Sequence, residues 1–432
     1  MMQITLSYPN VPPVDIPDAN LLATLEPREI ESPRPVENLA EEALDHPIGA
    51  EALEKFVGPS SKVLVLVDDI TRQTPAHALL PSVFRRLSQA GVTRQNITIL
   101  IAAGTHSHMT KSELEVKLGA KTLEEFAVHL HYWKDESHLR HIGAASDGTP
   151  IRVNRMLGEV DFVIGIGQIV PHRVMGFTGG STIVQPGVSG PEITGHTHWL
   201  STQYPGSEIM GIVDNPVRRE VQEIARLAGL RYIVNVVMDR KERVIHVVAG
   251  HPVEAHRRGS QHSLEIFGAS LPELADIVVA ESYPADYDLW QASKGLYSSE
   301  LAVKPGGVVI LITPCPHGVS IEHPEVEKLG YHTVEEVKQM VASRKITDLI
   351  GAAHLAHVGR VICDRARGIM VSSGIAPDTQ KSIGFRPART LADGLEMAFS
   401  MAGRDAKVAV LRQGGHVLPR VAAKRTTTSS AP

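Results

Sequence analysis

The strongest pattern in the chain is a set of short segments in which nearly every position is apolar. Lys62–Val67 is the first of them, and it ends in Asp68-Asp69. Continuous rather than alternating hydrophobicity predicts a strand buried on both faces, as in a parallel sheet covered by helices. A helix is predicted through His77–Leu87, then a strand at Asn96–Ala102 that ends in Gly104-Thr105-His106. Thr110 and Glu113 have the spacing of a capping box and predict the start of the next helix. Phe126–Tyr132 and Asp161–Ile166 read as further strands, the second running into Gly167 and then Pro171-His172. Strand, polar turn, helix, strand is the order of a parallel α/β sheet.

The pattern restarts after about residue 270. Ile277–Ala280 and Val308–Thr313 read as strands, Leu289–Ala302 and Val334–Ser343 as helices. Arg360–Cys363 and Ile369–Ser372 read as extended, Leu391–Met401 as a helix and Lys407–Leu411 as a last strand. The expectation is two α/β domains with largely parallel sheets and a cleft between them. Residues 1–270 form the first and 271–420 the second, and 421–432 form a Thr/Ser-rich disordered tail. The first 55 residues, proline-rich and acidic, are expected to wrap the first domain as an irregular arm with one or two short strands.

Composition narrows the function. The chain has 432 residues, 43% hydrophobic and 21% charged, the balance of a globular protein with more than one core. A net charge of −5 with no basic stripe argues against nucleic acid as a partner. No apolar run approaches membrane-spanning length, and no signal-peptide pattern opens the chain, so no membrane partner and a cytoplasmic location are expected. Cys315 and Cys363 form neither a disulfide framework nor a CxxC metal site.

In parallel sheets ligands bind beyond the carboxyl ends of the strands. Three polar clusters fall there: Asp68–Arg72, Gly104–His106 and Pro171–Gly180. Arg72 can hold a carboxylate with two parallel hydrogen bonds, and Asp69 can orient it or an imidazole. His106 and His172 can exchange protons near neutral pH, whereas His108 reads as an exposed loop residue. Pro171–Gly180 combines glycines with a hydroxyl residue, the composition of a loose, flexible loop whose amides can cradle a phosphate. Gly195-His196-Thr197-His198 is a possible metal half-site. Gln291 and Lys294, three apart in Trp290–Lys294, share one helical face and can reach a carboxylate.

Taken together, DDITR at 68–72, GTH at 104–106, PHRVMGFTGG at 171–180, PG at 186–187, His198 and WQASK at 290–294 resemble the nickel-dependent lactate racemase family in order and spacing. The resemblance implies a racemase or epimerase of a 2-hydroxy acid, an isomerase acting by hydride transfer to and from a nickel-pincer nucleotide. That cofactor is pyridinium-3,5-bisthiocarboxylic acid mononucleotide, supplied by its own biosynthetic enzymes. The resemblance assigns His106 and His172 as the two acid/bases and His198 as the nickel ligand. It assigns Arg72, Gln291, Lys294 and Asp69 to the substrate.

Two departures stand out. The family's cofactor-tethering lysine is replaced by Thr182, and no lysine occurs between Lys134 and Lys241. A tryptophan of the family's second domain is missing around Asp348–His354. The expected cofactor is therefore held noncovalently, by the segment around Thr178–Thr182 (Thr178, Gly179, Gly180, Ser181, Thr182) together with Thr71. The expected substrate is a longer or sugar-type hydroxy acid rather than lactate. The alternatives are a non-catalytic nucleotide- or hydroxyacid-binding relative and, last, a zinc hydrolase using His196 and His198.

Overall fold

The computed structural model describes residues 1–31, 34–321 and 323–422. Among these, twelve strands build two six-stranded sheets. In chain order they are β1 (Leu21–Leu25), β2 (Val63–Asp68), β3 (Ile97–Ala102), β4 (Ala127–Leu130), β5 (Phe162–Gln168), β6 (Leu230–Met238) and β7 (Val244–Gly250). There follow β8 (Ala275–Glu281), β9 (Val303–Ile312), β10 (Ala366–Val371), β11 (Arg386–Pro387) and β12 (Val408–Leu411).

The first sheet has the order β7-β6-β5-β2-β3-β4, parallel except for β7. Every residue of β2 is buried. Val63, Val65 and Val67 point into one core with Leu79, Leu80, Val83 and Leu87 of the helix Ala76–Gln89. Leu64 and Leu66 point the other way, against Ile183, Val188, Ile193 and Ile224. A strand with a core on each face must be apolar at every position, which is why the run carried no alternation. From β2 the chain builds outward through β3 and β4, then returns to β5 on the opposite side and continues to β6 and β7. The reversal between β2 and β5 is a topological switch point, where loops diverge and leave a crevice.

The second sheet, β11-β10-β9-β8-β12-β1, is parallel throughout. Its edge strand β1 comes from the amino-terminal arm, with Leu21 beside Val408 and Leu25 beside Leu411. Ile4, Leu6 and Ile16 share a core with Ile277, Val279, Val308 and Val410. The two compact units are therefore Arg28–Phe267 with Met340–Ala353, and Met1–Pro27 with Gly268–Gln339 and the chain from His354 onward. This corrects the expected placement of the arm. Its apolar residues complete the second sheet rather than wrapping the first unit, because the open edge of β12 supplies backbone partners that an irregular arm would lack. The chain passes from one unit to the other after residue 267, and the segments 1–27 and 340–353 each join the unit that holds the other part of the chain.

A second correction concerns Arg360–Cys363, which continues the helix Leu349–Gly359 as a π-helical turn, Arg360–Arg365. Apolar runs of this length do not distinguish a buried helix from a strand. The capping box is present, with Thr110 and Glu113 bonded reciprocally. Both cysteines are free. Among the described residues no helix is long and apolar enough to cross a membrane. Of the expected disordered tail 421–432, Val421 instead ends a strand, Leu418–Val421, paired with Gly268–Leu271, and 423–432 lie outside the described residues.

Candidate functional site

Three sequence-predicted loops leave the carboxyl ends of the adjacent strands β3, β2 and β5. After β2, buried Asp68 pairs with Lys117 at 2.7 Å and accepts from the Thr74 hydroxyl at 2.5 Å. Lys117 also donates to the Arg72 carbonyl at 2.8 Å. This clamp fixes the 69–72 turn, so that Asp69 accepts from Thr71 Oγ1 at 2.6 Å and from His106 Nδ1 at 2.7 Å. A carboxylate can only accept, so the proton lies on Nδ1 of His106. Neutral His106 then presents the Nε2 lone pair, the arrangement of a positioned general base. Burial pushes the Asp69 carboxyl up, but the charge and hydrogen bond of His106, then Arg72 and Thr71, outweigh it and hold it at about 2. Because that value is depressed, the pair stabilises the fold above the ordinary carboxylate range and loses its effect as pH falls towards 2. Arg72 donates to the Thr71 hydroxyl at 3.3 Å. His108 is exposed and packs edge-on to Tyr132, 4.4 Å between ring centres.

The segment after β5 folds as a tight hairpin rather than a loose loop, with Pro171-His172 paired to Gly176-Phe177. The amide of Met175 donates to His172 Nδ1 at 3.3 Å, which steadies the ring. Gly176 has φ +78°, and a Cβ there would stand 2.2 Å from the Ile212 carbonyl oxygen, so only glycine fits. Gly180, at φ +59°, passes so close to the His256 ring that a Cβ would lie 2.8 Å away. The Thr178 hydroxyl donates to the Gln168 carbonyl at 2.7 Å and accepts from the Val170 amide at 3.0 Å, so it is committed within the loop. Thr182 Oγ1 donates to the Gly179 carbonyl at 3.1 Å.

Beneath the hairpin lies Arg218, 1% exposed. It donates to the carbonyls of Met175 at 3.1 Å, Gly179 at 3.2 Å and Phe177. Burial lowers the guanidinium to about 9, so it remains charged at neutral pH. His256 Nε2 donates to the Thr178 carbonyl at 2.9 Å, and Asn235 accepts from the Gly180 amide at 2.7 Å. Sequence reading passed over all three. Arg218 stands in an amphipathic helix, Pro216–Leu227, among charged neighbours, and only its spacing of three from Val221, on the same side of the helix, hinted at an inward side chain.

His198 lies on the helix Pro191–Ser201, where its Nδ1 donates to the Thr194 carbonyl at 2.8 Å. That bond sets the tautomer in which Nε2 can ligate a metal. Gln185 ties this helix to the 183–189 turn, donating to Thr197 at 2.8 Å, and the Gly187 carbonyl accepts from Gly104 at 2.9 Å in the His106 loop. His196 does not accompany His198. Its two nitrogens meet Asp147 at 2.9 Å and Glu220 at 3.0 Å.

The hydrogen bond to Glu220 raises the His196 pKa against the effect of burial, and the charges of Glu220 and Asp147 add to it. A raised histidine pKa stabilises fully below the unfolded value and is lost as pH rises through the folded one. The Tm difference between wild type and His196→Gln is therefore expected to be large at pH 6 and to shrink by pH 9. Thermal unfolding across that range measures it, and a difference growing with pH contradicts the charged pairing.

In the second unit, Asp288 caps the helix Leu289–Glu300, and Lys294 donates to Gln291 Oε1 at 2.8 Å, so these residues share a face as their spacing predicted. Trp290 is sandwiched between His323 and His354, with ring centres 4.0 and 4.2 Å away. Burial, then the charge of His323, lowers His354 to about 3, so it is neutral at physiological pH. Its nitrogens meet Tyr297 at 3.3 Å and Tyr331 at 3.1 Å. His354 thus occupies the end of the segment in which the family tryptophan is missing.

Fold and loops define a two-unit α/β protein with a histidine–aspartate pair and a second histidine at the switch point of one sheet. Comparison with known proteins gives the family. The sequence model of the lactate racemase N-terminal domain matches residues 10–210, and that of the lactate racemase C-terminal domain matches 272–418. The chain belongs to the lactate racemase family. It is 27% identical to a lactate racemase of Thermoanaerobacterium thermosaccharolyticum over 89% of this chain and 90% of that one. It is 28% identical to a lactate racemase of Lactiplantibacillus plantarum, over 87% and 88%. The solved lactate racemase apoprotein from T. thermosaccharolyticum superposes with a TM-score of 0.86 at 26% identity, covering 97% of this chain and all of that one. A Thermotoga maritima protein shares the fold, with a TM-score of 0.73 at 23% identity and coverage of 91% and 100%.

Proposed function

We propose that the protein inverts the configuration of a 2-hydroxy acid, with His106 and His172 as acid/bases. The observation that carries this reading is the Asp69–His106 pair at the switch point of a chain whose two domains match the lactate racemase family. Inversion needs a base on each side of a planar intermediate. His106 takes the 2-hydroxyl proton at Nε2, and Asp69 stabilises the imidazolium that forms. His172 exchanges a proton on the opposite face, its ring steadied by Met175. Arg72 holds the substrate carboxylate, which a cationic fork suits best.

The family's nickel-pincer nucleotide fits the residues present. His198 offers Nε2 with its tautomer fixed, and the buried charge of Arg218 lies under the loop proposed to receive the phosphate. When bound, the cofactor supplies the acceptor and donor of the 2-hydrogen. Held near it are Thr71, Gly179, Gly180, Ser181 and Thr182. With threonine at 182 there is no amine for a tether, so the cofactor is held noncovalently and occupancy follows its free concentration. Activity is expected to fall on extensive dialysis and to return when cofactor is added, with no adduct on the denatured chain. A covalent adduct of cofactor mass overturns this.

The substrate is proposed to be longer or more hydroxylated than lactate, because the tethering lysine gives way to Thr182 and a family tryptophan is missing around Asp348–His354, where the chain reads DLIGAAH. The test is co-expression with the cofactor-making enzymes, followed by chiral chromatography of lactate and a panel of sugar acids carrying deuterium at C2. Inversion with the deuterium retained supports the reading. Failure on every acid by cofactor-loaded protein favours the non-catalytic relative, for which the missing tether is the specific argument.

A further inference from the structure

Away from the proposed reaction site, the first unit carries a second histidine cluster. His246 stands on β7, and His262 and Glu265 stand one turn apart on the helix Glu254–Phe267, which packs against β7 and β6. One ligand atom from each of the three falls within 4.8 Å of the other two, and among the described residues no other group of three does so.

Three features separate this cluster from an ordinary surface pair. The two imidazoles lie face to face, 3.8 Å between centres and 11° from parallel, so one ring turns for both in-plane lone pairs to reach a shared ion. His262 is only 16% exposed, yet its Nδ1 is buried with no hydrogen-bond partner. Glu265 Oε2 lies 3.6 Å from it, too long for a hydrogen bond. Two ligands each about 2.0–2.2 Å from a tetrahedral ion stand roughly 3.3–3.6 Å apart, so the spacing that fails as a hydrogen bond suits a shared cation. A buried nitrogen without a hydrogen bond is costly, and a cation at this point satisfies it.

We propose that His246, His262 and Glu265 bind one divalent late first-row cation, with zinc as the best fit and a solvent position completing the tetrahedron. Two imidazoles and a carboxylate are a borderline donor set that zinc accepts readily and that calcium and magnesium do not favour. Arg258, whose charge acts on both imidazoles, weakens the site and favours modest affinity over a permanent structural metal. The cation joins β7 to the helix that also carries His256, the donor to the Thr178 carbonyl. The site is separate from His198, so a metal count made to test for nickel includes it.

The test uses the full chain expressed without cofactor-making enzymes, stripped with chelator and titrated with zinc chloride by calorimetry, with Tm followed in parallel. Wild type and His198→Ala are both expected to bind one zinc and to gain Tm. His262→Ala and His246→Ala are expected to weaken binding ~10- to 100-fold or more. Glu265→Gln, a change at a 67% exposed side chain that leaves packing intact, is expected to weaken it about tenfold and guards against misfolding of the histidine variants. The proposal is overturned if wild type binds no zinc, or if binding survives all three substitutions. Loss of zinc in His198→Ala alone would place the cation at the reaction site instead and overturn it as well.

Discussion

His106→Ala and His172→Ala are each expected to cut the rate of inversion by ~10²–10⁴ while cofactor content stays near wild type, since a positioned acid or base contributes that much. Each loss corresponds to roughly 3–5 kcal/mol of barrier. The two residues should not behave alike in every respect. His106 has a buried carboxylate behind it, and Asp69→Asn removes the charge that stabilises its protonated form while keeping the size of the side chain. That variant should lose activity most strongly where the imidazolium must form, and the pH–rate profile should shift accordingly. His172 has the Met175 amide at Nδ1, so Asp69→Asn should leave its ionisation alone. Kinetics in both directions, with nickel counted in each preparation, decide the matter. Full activity in either alanine variant ends the two-base scheme. Loss of nickel together with activity would instead move that histidine to a cofactor-holding role.

The second large effect is expected from Arg218→Met, which keeps the length and removes the charge. Carbonyls of Met175, Phe177 and Gly179 lose their common donor inside the protein. Each buried carbonyl left unpaired costs about 1–3 kcal/mol, so a loss of at least about 3 kcal/mol in stability is expected, read from denaturant unfolding. Arg218→Lys should recover only part of it, because one ammonium cannot serve three acceptors with the geometry of a guanidinium. The hairpin carries His172 and precedes the proposed phosphate loop, so cofactor affinity should fall with stability. A variant as stable as wild type would mean that water replaces the guanidinium beneath the loop.

How far the sequence led depends on the range of the interactions involved. Val63–Asp68 was legible because a strand covered on both faces must be apolar throughout. Thr110 and Glu113 were legible because a capping box is closed within four residues. His106, Asp69 and the 171–180 segment were legible as polar clusters at strand ends, and as parts of a family pattern. The edge strand β1 was not, since its partner Val408–Leu411 lies far along the chain and five residues carry little periodicity of their own. Nor was Arg218, because an arginine among Arg219 and Glu220 in an amphipathic helix looks solvated until the burial of its particular face is known. The 171–180 glycines were read as giving a loose loop, whereas they are demanded by close approaches to Ile212 and His256 that involve residues 36 and 76 positions away, from 212 − 176 and 256 − 180.

The membership of β1 in the second sheet also sets an order of events during synthesis. Leu25 leaves the ribosome 386 residues before its neighbour Leu411, counted as 411 − 25. At ~5–20 residues per second the arm waits roughly 20–80 s before its partner strand exists. Over that interval Ile4, Leu6 and Ile16 have no core to enter, whereas the unit from Arg28 to Phe267 is already being assembled. These apolar positions thus stay without their native neighbours until the last strand of the second sheet has been made.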